Sequence, residues 1–363
     1  MSAWPTWLPI RKDLQELNVY GAPQVAADAQ LNTNENPYSP SPQLVRAIST
    51  AVAKVSENLN RYPDREATSL REKLAGFINE LSGTKFSQQN VWAANGSNEI
   101  IQSLYLAFGS GRAVGFTPSY SMHPLIAQVV GVSWEAGRRN EDFTIDMPAA
   151  LAQITNGTSL VFVTTPNNPT GTAISIDDLR SFAQATKGVG ALLVVDEAYA
   201  EFSPHDSAVT LIEEFPHVVV CRTMSKAFAM AGARLGYLVA DPIVISAMHL
   251  VRLPYHLSSI TQVVAEVALD FRKELLATVA DLKAGREWLN SELMKLGLTV
   301  VPSAANFILF TGFTITPAAL WQKILDRGAL IRDVGLPHHL RVTVGTPEEN
   351  QIFIDALRAA LAE

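Results

Sequence analysis

Lys226 follows the apolar β-branched run Val218-Val219-Val220 and the polar residues Thr223 and Ser225. It precedes a mostly small, apolar stretch that reaches no further charge until Arg234. A lysine in such surroundings has few charged neighbours. Desolvation disfavours its ammonium form, lowers its pKa and makes the amine nucleophilic towards a carbonyl. The plain alternative is a lysine that caps a turn and points to water. Asp196 stands directly after the apolar run Ala191 to Val195. A carboxylate there is partly buried and needs a cationic or hydrogen-bonding partner. It either caps the next turn or holds a protonated ring nitrogen, and Tyr199 lies one turn further on. Gly96-Ser97-Asn98, between a strand and a helix, offers free backbone N–H groups suited to a phosphate, or is simply a helix start capped by Ser97 or Asn98. Tyr120 either fills the core or lays its ring on a flat ligand. Asn168 sits in an Asn-Pro turn, where asparagine is common for local reasons. Arg234 pairs with a surface acid or binds a phosphate.

These residues need elements to bring them together. Val91–Ala94, Ala113–Phe116, Leu160–Val163, Ala191–Val195, Val218–Val220 and Leu235–Ala240 read as short strands, most of them buried on both faces. Helical stretches separate most of them. That is the pattern of an α/β fold, a mostly parallel sheet covered by helices. In such sheets ligands lie beyond the carboxyl ends of the strands, where the polar clusters above fall. Before the sheet, Arg11–Leu17 is a short helix candidate and Leu31–Pro42 an irregular segment dense in turn formers. Helices follow over Gln43–Val55 and around Leu70, Leu74, Phe77, Ile78 and Leu81. After Ser258 the character changes: a long helical region from Ile260 to Leu298, then strands at Asn306–Phe310, Ala329–Ile331 and Leu340–Val344, with helices around Leu320–Asp326 and from Pro347. This predicts an arm over residues 1–32, a large domain over 33–258 and a smaller α+β domain over 259–363.

Composition narrows the class. The chain has 363 residues, 48% of them hydrophobic and 17% charged, with a formal net charge of -7. That is ordinary for a globular enzyme and argues against a general nucleic-acid or membrane surface. An anionic ligand would therefore depend on local arginines. Cys221 is the only cysteine, so no intrachain disulfide can form, and a cytoplasmic setting is expected. Met1 to Leu31 lacks the apolar core of a signal peptide, and no apolar run has the length of a membrane span.

Asn167-Asn168-Pro169-Thr170-Gly171, Asp196-Glu197-Ala198-Tyr199, Ser225-Lys226 and Arg234 resemble, in order and spacing, the fold-type I pyridoxal phosphate (PLP) aminotransferases. Leu31-Asn32-Thr33-Asn34-Glu35-Asn36-Pro37-Tyr38, Arg61-Tyr62-Pro63-Asp64, Gly96-Ser97-Asn98-Glu99, Arg222 to Phe228 and Leu340 to Thr346 are similar to the histidinol-phosphate aminotransferase family. The resemblance runs from Tyr20 to about Asn350. It implies that Lys226 carries PLP covalently and that Asp196 pairs with the pyridine nitrogen. Asn168 and Tyr199 would bond the ring 3′ oxygen, and Tyr120 would stack on the ring. Ser97, Asn98, Thr223, Ser225 and Arg234 would hold the phosphate. Tyr62 would reach that phosphate from a neighbouring subunit, making a homodimer with shared sites. No metal is implied.

The same resemblance implies a ping-pong exchange of histidinol phosphate and 2-oxoglutarate for imidazole-acetol phosphate and glutamate. The freed Lys226 amine would move the proton from the substrate Cα. One site must then take a phosphate monoester and a carboxylate in turn. Arg341 is the candidate clamp, because a guanidinium binds either group in bidentate fashion. Alternation puts it and Thr343 on one strand face, with Leu340, Val342 and Val344 on the other. A solvated edge-strand arginine is the alternative. Arg332 is a second candidate, next to Asp333, and Tyr20, Asn34 and Tyr255 are candidates for the pocket lining. Eight residues, Asp333 to Leu340, separate the two arginines, a shorter loop than in some relatives, which changes how the arginines converge. Rival readings are an aromatic amino-acid aminotransferase, a PLP-dependent decarboxylase of a phosphorylated amino acid, and a non-enzymatic binding module. Retention of Lys226 and Asp196 argues against the last.

Overall fold

The computed structural model describes residues 4–17 and 21–363. A strand β1 (Ala29–Gln30) leads to helices α1 (Pro42–Ser56) and α2 (Thr68–Ser82). Then come β2 (Val91–Ala94), α3 (Ser97–Phe108), β3 (Arg112–Thr117), α4 (Met122–Val130), β4 (Trp134–Arg138), α5 (Met147–Ala152), β5 (Thr158–Thr164), α6 (Ile176–Val189), β6 (Leu192–Asp196), β7 (Val218–Thr223) and β8 (Gly236–Val239). The last part holds α7 (Pro242–Val251), α8 (Ser259–Asp270), α9 (Arg272–Lys295), β9 (Thr299–Val300), β10 (Phe307–Thr311), α10 (Pro317–Leu325), β11 (Ala329–Leu330), β12 (Leu340–Thr343) and α11 (Pro347–Leu361).

Seven strands form the central sheet in the order β2-β8-β7-β6-β5-β3-β4. The pairings are parallel except those of β8, which runs antiparallel to both of its neighbours. Apart from β4 at one edge, the strands are mostly apolar because both faces are covered. Val218 and Val220 pack into one hydrophobic cluster and Val219 and Cys221 into the other. The helices begin where local chemistry permits. Ser41 accepts from Leu44 N at 3.1 Å ahead of Pro42, and Thr346 with Glu349 closes a capping box on α11.

Four details depart from the sequence reading. Arg11–Leu17 forms only a single tight turn, Lys12–Leu14. Helix α3 starts at Ser97, so Gly96 and not Ser97 or Asn98 is the capping residue. Strand β4, whose only positions not exposed are Trp134 and Gly137, carries no β-branched run to announce it. The end of the arm joins a sheet: β1 pairs in parallel with β11, far along the chain. The remaining three strands order as β12-β10-β9, all antiparallel. Among the described residues no helix is long and apolar enough to cross a membrane.

Candidate active site

The carboxyl ends of β2, β3, β5, β6 and β7 and the start of β8 meet at one edge of the sheet, as parallel topology requires. There they border a cavity of about 600 Å³. Its lining includes Ser97, Asn98, Tyr120, Asn168, Asp196, Tyr199, Thr223, Ser225, Lys226 and Arg234, which the sequence had placed at strand ends. It also includes Asn34, Arg332 and Arg341. Tyr62 and Tyr255 are not in this lining. They stack on each other away from it, with ring centroids 4.4 Å apart and planes at 14°, and Tyr62 is 79% exposed. Tyr255, expected in the substrate lining, is directed to this pair by a left-handed backbone at φ 52°. Tyr20 lies outside the described residues.

Lys226 does not point to water. Its Nζ donates to Thr33 O at 2.8 Å inside the cavity. Burial, with Arg341 nearby and Arg234 assisting, lowers its pKa from 10.5 to about 8 against the opposing pull of Glu35. Near neutral pH a useful fraction of this amine is therefore uncharged. Asp196 is 3% exposed. Its Oδ2 lies 3.0 Å from His123 Nε2, and its Oδ1 accepts from Ala198 N at 3.3 Å. His123 was missed by sequence reasoning. It stands on α4, three residues after Tyr120, and packs edge-on to that ring at 5.4 Å. A lone histidine on a helix carries no motif; only its spacing from Tyr120 hinted that both face one strand end.

Backbone shape prepares the phosphate end. Gly96 takes φ +83°, and a Cβ there would meet Arg234 Nη2 at 2.8 Å. Gly236 leaves no room either, since a Cβ would lie 2.5 Å from Gly96 C and Ser97 N. Two facing glycines thus bring β8 against the N-terminus of α3 and seat the Arg234 guanidinium beside it. Thr223 Oγ1 donates to Ser225 Oγ at 3.0 Å and accepts from Ser225 N at 3.1 Å, ordering both hydroxyls. Tyr120 OH donates to Asn98 Oδ1 at 3.1 Å.

The other end is built from the last third of the chain. Arg341, 6% exposed, is no solvated edge arginine. It donates to Asn168 Oδ1 and, at 2.7 Å, to Asn32 O, and lies 5.1 Å over the Phe307 ring. Arg332 and Arg341 exchange backbone hydrogen bonds, both 2.9 Å, so the short loop between them brings the two arginines to one wall. Thr343 Oγ1 donates to Asn34 Oδ1 at 3.0 Å and Asn34 Nδ2 donates to Tyr199 OH at 2.9 Å. Asn34 itself is left-handed at φ 56°. The cavity is locally cationic in a chain of net charge -7: Lys226, Arg234, Arg332 and Arg341 face Glu35 and Asp196. An enclosed amine of lowered pKa, a buried carboxylate opposite, and a glycine-shaped helix start with an adjacent guanidinium fit a flat aldehyde that carries a phosphate.

A fold of this kind with an enclosed lysine at the strand ends defines a class, and comparison with known proteins agrees. The family model for aminotransferase class I and II matches residues 28–357, and the chain belongs to that family. It is 52% identical over 353 residues to a histidinol-phosphate aminotransferase of Corynebacterium glutamicum (strain R), covering 96% of this chain and 95% of the relative. It is 53% identical over 358 residues to one of Thermobifida fusca (strain YX), covering 97% and 95%. More narrowly, therefore, it is one of the histidinol-phosphate aminotransferases. The crystal structure of the histidinol-phosphate aminotransferase from Sinorhizobium meliloti in complex with pyridoxal-5′-phosphate is 24% identical. It superposes with a TM-score of 0.84 over 98% of each chain, a likeness of fold.

Proposed function

We infer that this protein is a PLP-dependent aminotransferase that interconverts histidinol phosphate and 2-oxoglutarate with imidazole-acetol phosphate and L-glutamate, a step of histidine biosynthesis. The observation that carries the chemistry is the Lys226 amine, enclosed against Thr33 O with its pKa lowered to about 8. The identity of more than half with full-length histidinol-phosphate aminotransferases carries the substrate. In this reading PLP, carried on Lys226 until the substrate's amine displaces that bond, would supply an acceptor for the electrons left when the substrate Cα loses its proton.

The chain's own residues do the rest. Once the substrate's amine has displaced it from the cofactor, Lys226 Nζ would take the Cα proton and return it to the cofactor carbon two bonds away, a task suited to a group whose pKa lies near the working pH. Asp196, supported by His123 and the Ala198 amide, holds a proton on the ring nitrogen facing it. Asn168 and Tyr199 orient the ring oxygen, and Tyr120 covers the ring face. Ser97 and Asn98 amides, Thr223, Ser225 and Arg234 bind the cofactor phosphate. Arg341, with Arg332, receives the phosphate of one substrate and the carboxylate of the other. Residues 33–258 form the cofactor-binding domain in this reading and 259–363 the domain that brings Arg332 and Arg341.

The exposed Tyr62–Tyr255 stack supports a homodimer in which Tyr62 serves the neighbouring subunit's phosphate site, because an aromatic pair this exposed asks for a covering surface. The single buried thiol, Cys221, and the reaction type support a cytoplasmic setting. Lys226→Ala tests the core of the reading. The Schiff-base absorbance of the Lys226–PLP bond and turnover of histidinol phosphate with 2-oxoglutarate should both vanish, while far-ultraviolet circular dichroism stays native. Retained absorbance and turnover would refute it.

A further inference from the structure

Phe143 holds φ 66°, a backbone region that bulky residues rarely adopt. It occupies the turn after β4. Asn140 N donates to Thr144 O and Phe143 N donates to Asn140 O, each at 2.9 Å. Glycine or asparagine is the usual occupant of such a position. A phenylalanine kept there points to a use for its ring, because strain of this kind persists only where the surroundings enforce it.

The surroundings do enforce it. Phe143 O accepts from Arg139 Nη1 at 3.1 Å and from Thr172 Oγ1 at 3.3 Å. Thr172 is tied at 2.8 Å to Thr170, and Thr170 at 2.8 Å to Asn167. That turn also presents Asn168, the acceptor for Arg341. The Phe143 ring meets His339 edge to face, with centroids 5.3 Å apart and planes at 79°. His339 belongs to the loop between Arg332 and Arg341 and is braced by Pro337 O, 2.7 Å from its Nδ1. Val334 and Leu336 of the same loop line the cavity. The end of the loop that leads into β12 is thus held twice, by Asn168 through Arg341 and by Phe143 through His339.

We propose that Phe143 is a positioning residue for substrate selection: through His339 it fixes the loop over residues 333–340, and with it the apolar lip of Val334 and Leu336 against which a ring-bearing anionic donor is seated. This rests on the aminotransferase reading above. Glutamate carries no ring to seat against the lip and needs only the arginines, whereas a donor whose amine-bearing carbon carries a ring on one arm and a phosphate on the other must pack that ring against the lip while the arginines take the phosphate.

The test is the amine half-reaction of the PLP-loaded protein, followed by the cofactor's visible spectrum, with histidinol phosphate and glutamate run in parallel. Phe143→Gly deletes the ring and relieves the left-handed backbone, so thermal stability should be at least preserved. Its apparent dissociation constant for histidinol phosphate should rise roughly five- to tenfold, the scale of one lost aromatic contact. The limiting rate should stay within about twofold, and glutamate binding should hardly change. His339→Ala should behave alike, the double variant should be no worse than either single one, and Phe143→Tyr and His339→Phe should bind as the unaltered protein does. Unchanged binding of histidinol phosphate in Phe143→Gly, an equal loss for glutamate, or additive effects of the two substitutions would overturn the proposal. If the unaltered protein accepts glutamate and refuses histidinol phosphate, the functional reading fails separately. Phenylalanine, the other ring-bearing donor, then decides the role of Phe143 by the same comparison.

Discussion

Lys226 offers a stability measurement that needs no substrate. In the folded protein its amine titrates at about 8, against an ordinary value of 10.5, chiefly because it is buried and secondarily because Arg341 lies near. Between these values the unfolded chain holds a proton that the folded chain has released. Folding stability therefore rises with pH across that window. Well below pH 8 both states are protonated, and the penalty for the buried ammonium, on the order of 3 kcal/mol, is fully present. Other groups titrate in the same range, so the informative quantity is the difference between the cofactor-free protein and its Lys226→Met variant, which fills the space without a charge. Between pH 8 and pH 9.5 that difference should move by about 2 kcal/mol in favour of the unaltered protein. Urea unfolding at a series of pH values reads it directly. A difference that stays flat over this window would show that the amine is not held in its lowered state, and the argument for a pre-activated nucleophile would fall.

Other substitutions probe the remaining parts of the site. His123→Phe leaves the Asp196 carboxylate without its buried partner at 3.0 Å; titration with PLP should show affinity lower by roughly 10- to 100-fold, the scale of a hydrogen bond to a charged group. Gly236→Ala drives a Cβ to 2.5 Å from the backbone of Gly96 and Ser97, and calorimetry should record a loss of roughly 1–3 kcal/mol together with weaker cofactor retention. Arg341→Lys keeps a positive charge and loses the planar fork that reaches Asn168 and Asn32; apparent dissociation constants for both histidinol phosphate and glutamate should rise at least about tenfold.

Much of this site was legible in the sequence because parallel-sheet topology gathers strand ends. Once Asp196, Thr223 and Gly96 were assigned to the ends of apolar runs, their convergence followed without knowledge of the helices. The two-residue alternation around Arg341 likewise put it with Thr343 on the face that meets Asn34 and Asn168. What stayed hidden depends on contacts between distant segments or on backbone shape. His123 acts through a helix that only the fold rotates towards Asp196. The Thr33 carbonyl that receives the Lys226 amine belongs to an irregular segment whose path no periodicity encodes. The pairing of β1 with β11 joins residues about 300 positions apart by two backbone steps, with nothing in the side chains to announce it. Tyr255 was assigned to the pocket from its family resemblance, yet a left-handed φ turns it onto Tyr62. Phe143 shows the same limit: its importance lies in a dihedral angle that its residue type would argue against.

The central claim, an aminotransferase centred on Lys226 that takes a phosphate-bearing amine, is tested most directly by one comparison of half-reactions. The PLP-loaded protein is mixed, in separate reactions, with histidinol phosphate, with phenylalanine and with a phosphorylated amino acid, and the change in the cofactor's visible spectrum on amino transfer is followed while released carbon dioxide is trapped. The account predicts fast conversion by histidinol phosphate, slow conversion by phenylalanine, restoration of the spectrum by 2-oxoglutarate, and no carbon dioxide from a phosphorylated amino acid. Faster conversion by phenylalanine, or carbon dioxide release, would contradict it.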